Sequence, residues 1–175
     1  MSSEYSTSEY NSDYSSTASG LQTTIDISNL HFESQDLQSK IHLATHDDDE
    51  FEEVRAAAIE KLYAQSNNLT VIPPNIATLS QLTVLDFGCN NLTFVDDLIL
   101  SLKHLTKLVL KHNNIDNEGL PKDLGKMQSL RELNLSGNRL KKFPPQIIEM
   151  TNIRYLYIGG NHIQAVPNEI GRLQA

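Results

Sequence analysis

The sequence predicts an α/β fold, a right-handed solenoid with a parallel sheet on its concave face and short helical or irregular returns on its convex face. The first observation is an eleven-residue pattern, L-x-x-L-x-L-x-x-N-x-L, that occurs five times. The second is the spacing of its asparagines, which lie 23, 23, 25 and 23 residues apart. The third is a set of apolar residues at fixed distances after each asparagine. One unit of this length cannot bury a core alone, so the units must stack.

The first 20 residues are predicted to be a disordered tail. They are rich in serine, threonine, tyrosine and acids, and Ala18 is the only aliphatic residue after Met1. Such a composition buries too little apolar surface to offset the entropy of ordering. The segment also lacks the basic and apolar parts of a secretory signal peptide.

Residues 21–58 are predicted to form an N-terminal cap, made of a degenerate repeat and a helix. Leu30 stands in the slot that later units fill with asparagine, and Ser34 is expected to cap a helix with Leu37 and Ile41 on one face. The acidic run 47–53 suits the start of a second helix, because acids complement the positive end of the helix dipole. The run lacks the alternation and central glycine of a calcium loop, so no metal site is expected.

Residues 59–175 are predicted to be five repeats, each with a strand at its central L-x-L step. The first copy is the weakest, because the small Ala64 takes a slot that is bulky elsewhere. A buried amide where the chain leaves the strand can both donate and accept hydrogen bonds to unpaired backbone groups. The sequence therefore predicts a structural ladder of asparagines, formed by Asn67, Asn90, Asn113, Asn138 and Asn161.

The third repeat matches the frame only if two residues are inserted. Leu120, Leu124 and Met127 then take the apolar positions, and residues 116–119 are expected to bulge out as a loop. No polar closing cap follows Leu173. We therefore expect that the C-terminal cap is missing and that the 175 residues belong to a longer chain.

The distribution of charged and apolar residues limits the classes of partner that the chain can bind. Residues 1–53 hold twelve acids against Lys40, a net charge of −11, and residues 54–175 hold ten acids against thirteen basic residues, a net charge of +3. This balance argues against nucleic acid, which needs a concentrated basic patch. No apolar run is long enough for a membrane span. Cys89 is the only cysteine, so no intrachain disulfide can form, and a cytoplasmic location is expected.

No catalytic constellation or cofactor motif is present, and the chain is predicted not to be an enzyme. Function is expected on the solvent-facing strand positions, for a protein partner and without a cofactor. Tyr155 and Tyr157 beside Arg154 form an aromatic and cationic cluster typical of interfaces. Lys107 and Lys111 are expected to bind an acidic partner, and the chain's own acidic tail is one candidate for it. The candidate contact residues are Asp86, Lys107, Lys111, Glu132, Arg154, Tyr155 and Tyr157.

The returns I-P-P-x-I at 72–76 and V-P-x-E-I at 166–170 resemble those of intracellular leucine-rich repeat proteins of the Ras-suppressor and small-scaffold type. The lengthened third repeat before Gly-Leu-Pro-Lys, at 119–122, resembles a narrower subfamily of these proteins. Its members carry a C-terminal segment that resembles the box docking elongin and a cullin. The resemblance implies a substrate receptor of a cullin-type ubiquitin ligase, although that segment is absent here. Two alternatives remain: a signalling scaffold for a small GTPase or phosphatase, and a regulatory segment of an enzyme whose catalytic domain lies beyond Ala175.

Overall fold

The computed structural model describes residues 23–45 and 56–173. The predicted tail at 1–20 and the acidic run at 47–53 lie outside these residues. The strands are β1 (Thr24–Asp26), β2 (Lys61–Tyr63), β3 (Val84–Asp86), β4 (Lys107–Val109), β5 (Glu132–Asn134) and β6 (Tyr155–Tyr157). The helices with described bounds are α1 (Ser34–Thr45) and five 3₁₀ helices, η1 (Pro74–Thr78), η2 (Asp97–Ser101), η3 (Leu124–Lys126), η4 (Pro145–Glu149) and η5 (Asn168–Arg172). Residues 56–58, at the start of the second described range, are helical as well.

The six strands form one parallel sheet in chain order, from β1 to β6. The register keeps the repeat frames aligned, so that Leu62 pairs with Leu85, Leu108 pairs with Leu133, and Leu133 pairs with Leu156. The first strand comes from the segment expected to be the cap, and its Ile25 pairs with Leu62. The predicted solenoid with a parallel sheet is confirmed.

The core lies between the sheet and the returns, which are the segments that join one strand to the next. The inward leucines of β2 to β5 are fully buried, Leu156 of β6 is partly buried, and Phe87 is the largest fully buried side chain among the described residues. The first four returns add buried apolar residues, such as Ile76 and Ile147 of η1 and η4, whereas η5 buries none. None of the described helices is long and apolar enough to span a membrane.

The cap helix α1 buries Leu37 and Ile41, as predicted. The role expected for Ser34 is wrong. Its hydroxyl accepts hydrogen bonds from the backbone amides of Thr70 and Val71 at 3.2 and 3.1 Å and donates to the Val71 carbonyl at 3.0 Å. The side chain therefore ties the cap to the first return, because unpaired backbone groups of the next layer lie within its reach.

Every layer has a residue with left-handed backbone geometry immediately before the asparagine slot. The φ angle is positive at Asn29, Ser66, Cys89, His112, Gly137 and Gly160. The turn out of the strand requires this geometry, and only glycine adopts it without a steric cost.

The inserted loop of the third repeat packs tightly against the second. The Val95 amide donates to the Gly119 carbonyl at 2.8 Å, and a Cβ atom at Gly119 would lie 2.3 Å from the Thr93 carbonyl oxygen. Asn117 clamps the loop to the next layer by accepting from the amides of Lys141 and Lys142 at 2.8 and 3.1 Å. The loop is thus held on both sides, and Leu120 behind it is buried.

Candidate functional site

The solvent-facing side of the sheet, here called the concave face, is built from three columns of side chains. The register places Lys61, Val84, Lys107, Glu132 and Tyr155 in the first column, and Tyr63, Asp86, Val109, Asn134 and Tyr157 in the second. The third column follows each strand and contains Gln65, Gly88, Lys111, Ser136 and Gly159. Adjacent strands lie about 4.8 Å apart, so neighbours within a column can touch.

Among the described residues, one ion pair lies in the middle of the concave face. Lys107 Nζ lies 3.0 Å from Glu132 Oε1, in a salt bridge between two adjacent strands. The Lys111 side chain lies over Gly88, where a Cβ atom would be 3.1 Å from both Lys111 Cε and Asp86 Oδ1. Asp86 Oδ1 itself accepts from the Gly88 amide at 2.8 Å. Sequence reasoning missed the pairing of Lys107 with Glu132, although the repeat frames already placed the two residues side by side.

Val109 departs from the expectation of a solvent-facing column, since only 4% of its surface is exposed. It lies in the fourth of six strands, between Asp86 and Asn134 of its column. Neighbours on both sides of a short, small apolar side chain are enough to cover it.

The C-terminal part of the concave face is aromatic and open. Tyr155 and Tyr157 lie on the same side of β6 and are 58% and 46% exposed. Arg154 immediately precedes that strand and is exposed. Beside them Gly159 carries no side chain, and a Cβ atom there would meet nothing within 4 Å. The surface next to the tyrosines is therefore flat and accessible.

The asparagines form a continuous ladder along the stack, where the chain turns away from each strand. Asn90 is typical: its Oδ1 accepts from the Leu69 amide at 3.0 Å, and its Nδ2 donates to the carbonyls of Ala64 and Phe87 at 2.9 and 3.0 Å. Each amide bonds its own layer and the layer before it. The same arrangement recurs at Asn67, Asn113, Asn138 and Asn161. These side chains hold the stack together and offer little to a ligand.

We predict a weak coupling between Lys107 and Glu132. Both side chains are partly exposed, at 40% and 25%, so water and salt screen their attraction. A double-mutant cycle with Lys107→Ala and Glu132→Ala should give a coupling energy of about 0.2 to 1 kcal/mol in urea unfolding. A coupling energy of about 3 kcal/mol would contradict a solvated pair and indicate a buried one.

Among the described residues, no group of three histidine, cysteine, aspartate or glutamate side chains could hold a metal ion. Cys89 is exposed and carries a free thiol.

Comparison with known proteins agrees with this geometry. A family model described as a leucine-rich repeat region matches residues 62–175, more than half of the chain. Leucine-rich repeat-containing protein 58 of Xenopus tropicalis is 36% identical over 92 residues, which are 53% of this chain and 26% of that protein. The protein of the same name from Xenopus laevis matches to the same extent. The chain thus spans about a quarter of the length of these relatives.

Solved structures share the fold. A leucine-rich repeat protein of Leptospira interrogans is 28% identical, with a TM-score of 0.57, over 70% of this chain and 36% of that one. The ectodomain of the Arabidopsis thaliana membrane receptor kinase GASSHO1/SCHENGEN3, in complex with CASPARIAN STRIP INTEGRITY FACTOR 2, is 26% identical with a TM-score of 0.58. That match covers 70% of this chain and 15% of the ectodomain. The internalin inlF of Listeria monocytogenes is 26% identical, with a TM-score of 0.58, over 72% of this chain and 36% of that one.

Proposed function

The chain belongs to the leucine-rich repeat proteins, and from this premise we propose that it recognises a protein partner through its concave face. The family and fold are typically those of non-enzymatic modules for protein–protein interaction. A receptor ectodomain of the same fold has been solved in complex with another factor, which supports a binding role here. The concave face also offers side chains that the stack itself does not need.

The exposed tyrosine pair of β6 carries this proposal. Large aromatic side chains leave much apolar surface in contact with water when they are free, and tyrosine is enriched among the residues that dominate interface energies. Tyr155 and Tyr157 extend from one strand towards solvent, beside the bare backbone of Gly159. A partner can therefore approach the backbone closely while it packs against both rings.

The ion pair on the concave face indicates what kind of contact to expect. Lys107 is already paired with Glu132, whereas Lys111 forms no ion pair with the nearby Asp86. An acidic partner would have to displace Glu132 from Lys107, so the role first expected for that lysine is the weaker one. The partner is instead held by apolar and hydrogen-bonding contacts to the tyrosines, and its affinity depends only slightly on salt.

We predict that the double substitution Tyr155→Ala and Tyr157→Ala weakens binding of the partner by about 10- to 100-fold, because truncating interface anchors of this kind costs about 1.4 to 2.8 kcal/mol in total. Partners captured by the wild-type chain from cell extract should be identified by quantitative mass spectrometry. The dissociation constant of each purified partner is then measured by calorimetry for both proteins.

Leu43→Ala is the matched control, since Leu43 is 71% exposed on α1 at the opposite end of the stack. It should bind as the wild type does. If the double variant kept every partner at wild-type affinity, the tyrosine end of the concave face would not be the contact surface.

We propose further that the full-length protein is a cytoplasmic substrate receptor of a cullin-type ubiquitin ligase, which its similarity to leucine-rich repeat-containing protein 58 supports. Sequencing the downstream reading frame tests this. A cullin-docking box favours the receptor, whereas further repeats alone favour a scaffold for a small GTPase or phosphatase. A catalytic domain downstream favours a regulatory segment. Absence of a docking box, together with no co-purified cullin from cells expressing the full-length protein, would overturn the receptor proposal.

A further inference from the structure

The convex side of the stack is interrupted between the second and third returns. Neighbouring 3₁₀ helices pack together from η1 to η2 and from η3 through η4 to η5, and α1 packs on η1. Within the described chain, η2 and η3 are the neighbouring pair without such close packing. The two 3₁₀ helices thus stand apart on the convex side, although the hydrogen bond from the Val95 amide to the Gly119 carbonyl joins the two returns and the sheet on the concave side is continuous.

The inserted loop explains the gap. The residues 116–119 lengthen the third return, and η3 spans only three residues where the other four 3₁₀ helices span five. Gly119 lies so close to Thr93 that position 119 has no room for a side chain. The geometry of the insertion is therefore fixed by backbone contact with the second repeat.

A groove of about 640 Å³ opens at this gap. Its walls come from the second return, with Phe94 and Asp97, and from the inserted loop and its continuation, with Glu118, Lys122 and Asp123. A smaller depression of about 310 Å³ adjoins it through Asp123 and reaches Met127. The Phe94 side chain remains 43% exposed at this site.

Two departures from the repeat rule meet in this groove. The first and fourth returns carry a pair of prolines, Pro73–Pro74 and Pro144–Pro145, where the second carries Asp96–Asp97. The third return carries the insertion. Stacking requires neither change, because the other repeats pack their returns without them. Both changes lie at one groove that is open to solvent, and the fold needs neither of them. They indicate a surface that contacts a binding partner.

The groove is lined by four carboxylates and one cation, Lys122, so its own charge is net acidic. Asp96 accepts from the Leu98 amide at 2.9 Å, and Asp123 accepts from Lys126 Nζ at 2.9 Å, which raises the pKa of Lys126 above its ordinary value. Asp97 and Glu118 are exposed, and neither carboxylate has an ion pair or hydrogen bond within the part of the chain that is described. Two free carboxylates therefore face solvent beside an exposed aromatic ring.

We infer that this groove is a second docking surface and that it takes a basic segment of a partner protein, with lysine or arginine side chains next to an apolar one. The free carboxylates Asp97 and Glu118 receive the cationic groups. The apolar neighbour packs on Phe94, whose ring face also attracts a cation. Binding at this groove depends strongly on salt because its charges are exposed, in contrast to binding at the concave face.

A peptide library tests the inference while the partner is still unidentified. Random peptides displayed on phage are selected on the complete 175-residue chain, and the selected sequences are synthesised and measured by fluorescence anisotropy. We expect a class that combines basic and apolar residues. Its affinity should fall at least about tenfold on the double variant Asp97→Lys and Glu118→Lys, and by a smaller factor on Asp97→Asn with Glu118→Gln.

The variant Tyr155→Ala with Tyr157→Ala is the matched control, and it should bind these peptides as the wild type does. This control separates the groove from the concave face, so either proposal can fail alone. Thermal melting of the charge variants should stay within a few degrees of the wild type, because both carboxylates are exposed and unpaired. A third substitution, Phe94→Ser, should weaken the same peptides while the charges remain.

Three results would overturn the inference. One is that selection yields no basic and apolar class. Another is that such peptides bind the charge variants with wild-type affinity, which places them elsewhere. The third is a wild-type dimer in sedimentation that the charge variant converts to a monomer, because the occupant is then a second copy of the chain.

Discussion

Asn90→Ala should lower the free energy of unfolding by about 2 to 4 kcal/mol. The substitution removes a buried amide that accepts from the Leu69 amide and donates to the carbonyls of Ala64 and Phe87. The Leu69 amide is left without a partner in the interior, which costs about 1 to 3 kcal/mol. The Ala64 and Phe87 carbonyls keep hydrogen bonds from Asn67 and Asn113, so the loss of the two bonds to them adds only about 1 kcal/mol. The asparagine is only 7% exposed, so water has little access to replace the lost bonds.

Urea unfolding followed by circular dichroism measures this loss. Asn91→Ala is the matched control, because Asn91 is the exposed neighbour of the same residue type, and it should change the free energy by less than about 0.5 kcal/mol. Asn161→Ala should give an intermediate loss, since this asparagine makes the same bonds while only half-buried. Equal stability of Asn90→Ala and the control would show that the ladder does not hold the layers together.

Gly119→Ala should lower the free energy of unfolding by about 3 kcal/mol, at the upper end of the cost of overpacking. The new Cβ atom would lie 2.3 Å from the Thr93 carbonyl oxygen and 3.2 Å from Phe94 Cα. Both are backbone atoms and cannot rotate away, so the inserted loop must move. That movement weakens the hydrogen bond from the Val95 amide to the Gly119 carbonyl.

Gly171→Ala provides the control, because a Cβ atom at Gly171 meets nothing within 4 Å. The control should leave the melting temperature near that of the wild type, whereas Gly119→Ala lowers it by several degrees. The Gly119 variant should also lose affinity for the basic peptides selected on the groove, since Glu118 moves with the loop. Wild-type stability of the Gly119 variant would mean that the loop does not pack against the backbone of the second repeat.

The repeat pattern predicts most of the fold because its physical cause is local to each unit. Leu85, Leu108 and Leu133 have no shelter within their own repeats, so their spacing alone requires stacking in one register. The same alignment predicts which residues share a column of the concave face. The two-residue insertion in the third repeat is also visible in the spacing of Asn113 and Asn138.

Other features depend on neighbours that a single repeat does not reveal. The burial of Val109 comes from the strands on its two sides, and the role of Ser34 comes from the return that lies next to it. The positive φ angles at Cys89 and His112 also escape the pattern, since residues other than glycine fill the slot there. The convex groove arises only when the changes in two adjacent repeats meet, although Asp96–Asp97 in place of two prolines was a readable signal.

Hydroxyl-radical footprinting of the complex with the tyrosine-dependent partner tests recognition through the concave face most directly, because it reports which side chains lose contact with water. Three exposed residues serve as reporters: Tyr155 and Tyr157 on the concave face, and Leu98 on the convex side. We expect strong protection of both tyrosines when the partner is bound and unchanged oxidation of Leu98. Protection of Leu98 with both tyrosines still oxidised at the rate of the free chain would contradict recognition through the concave face.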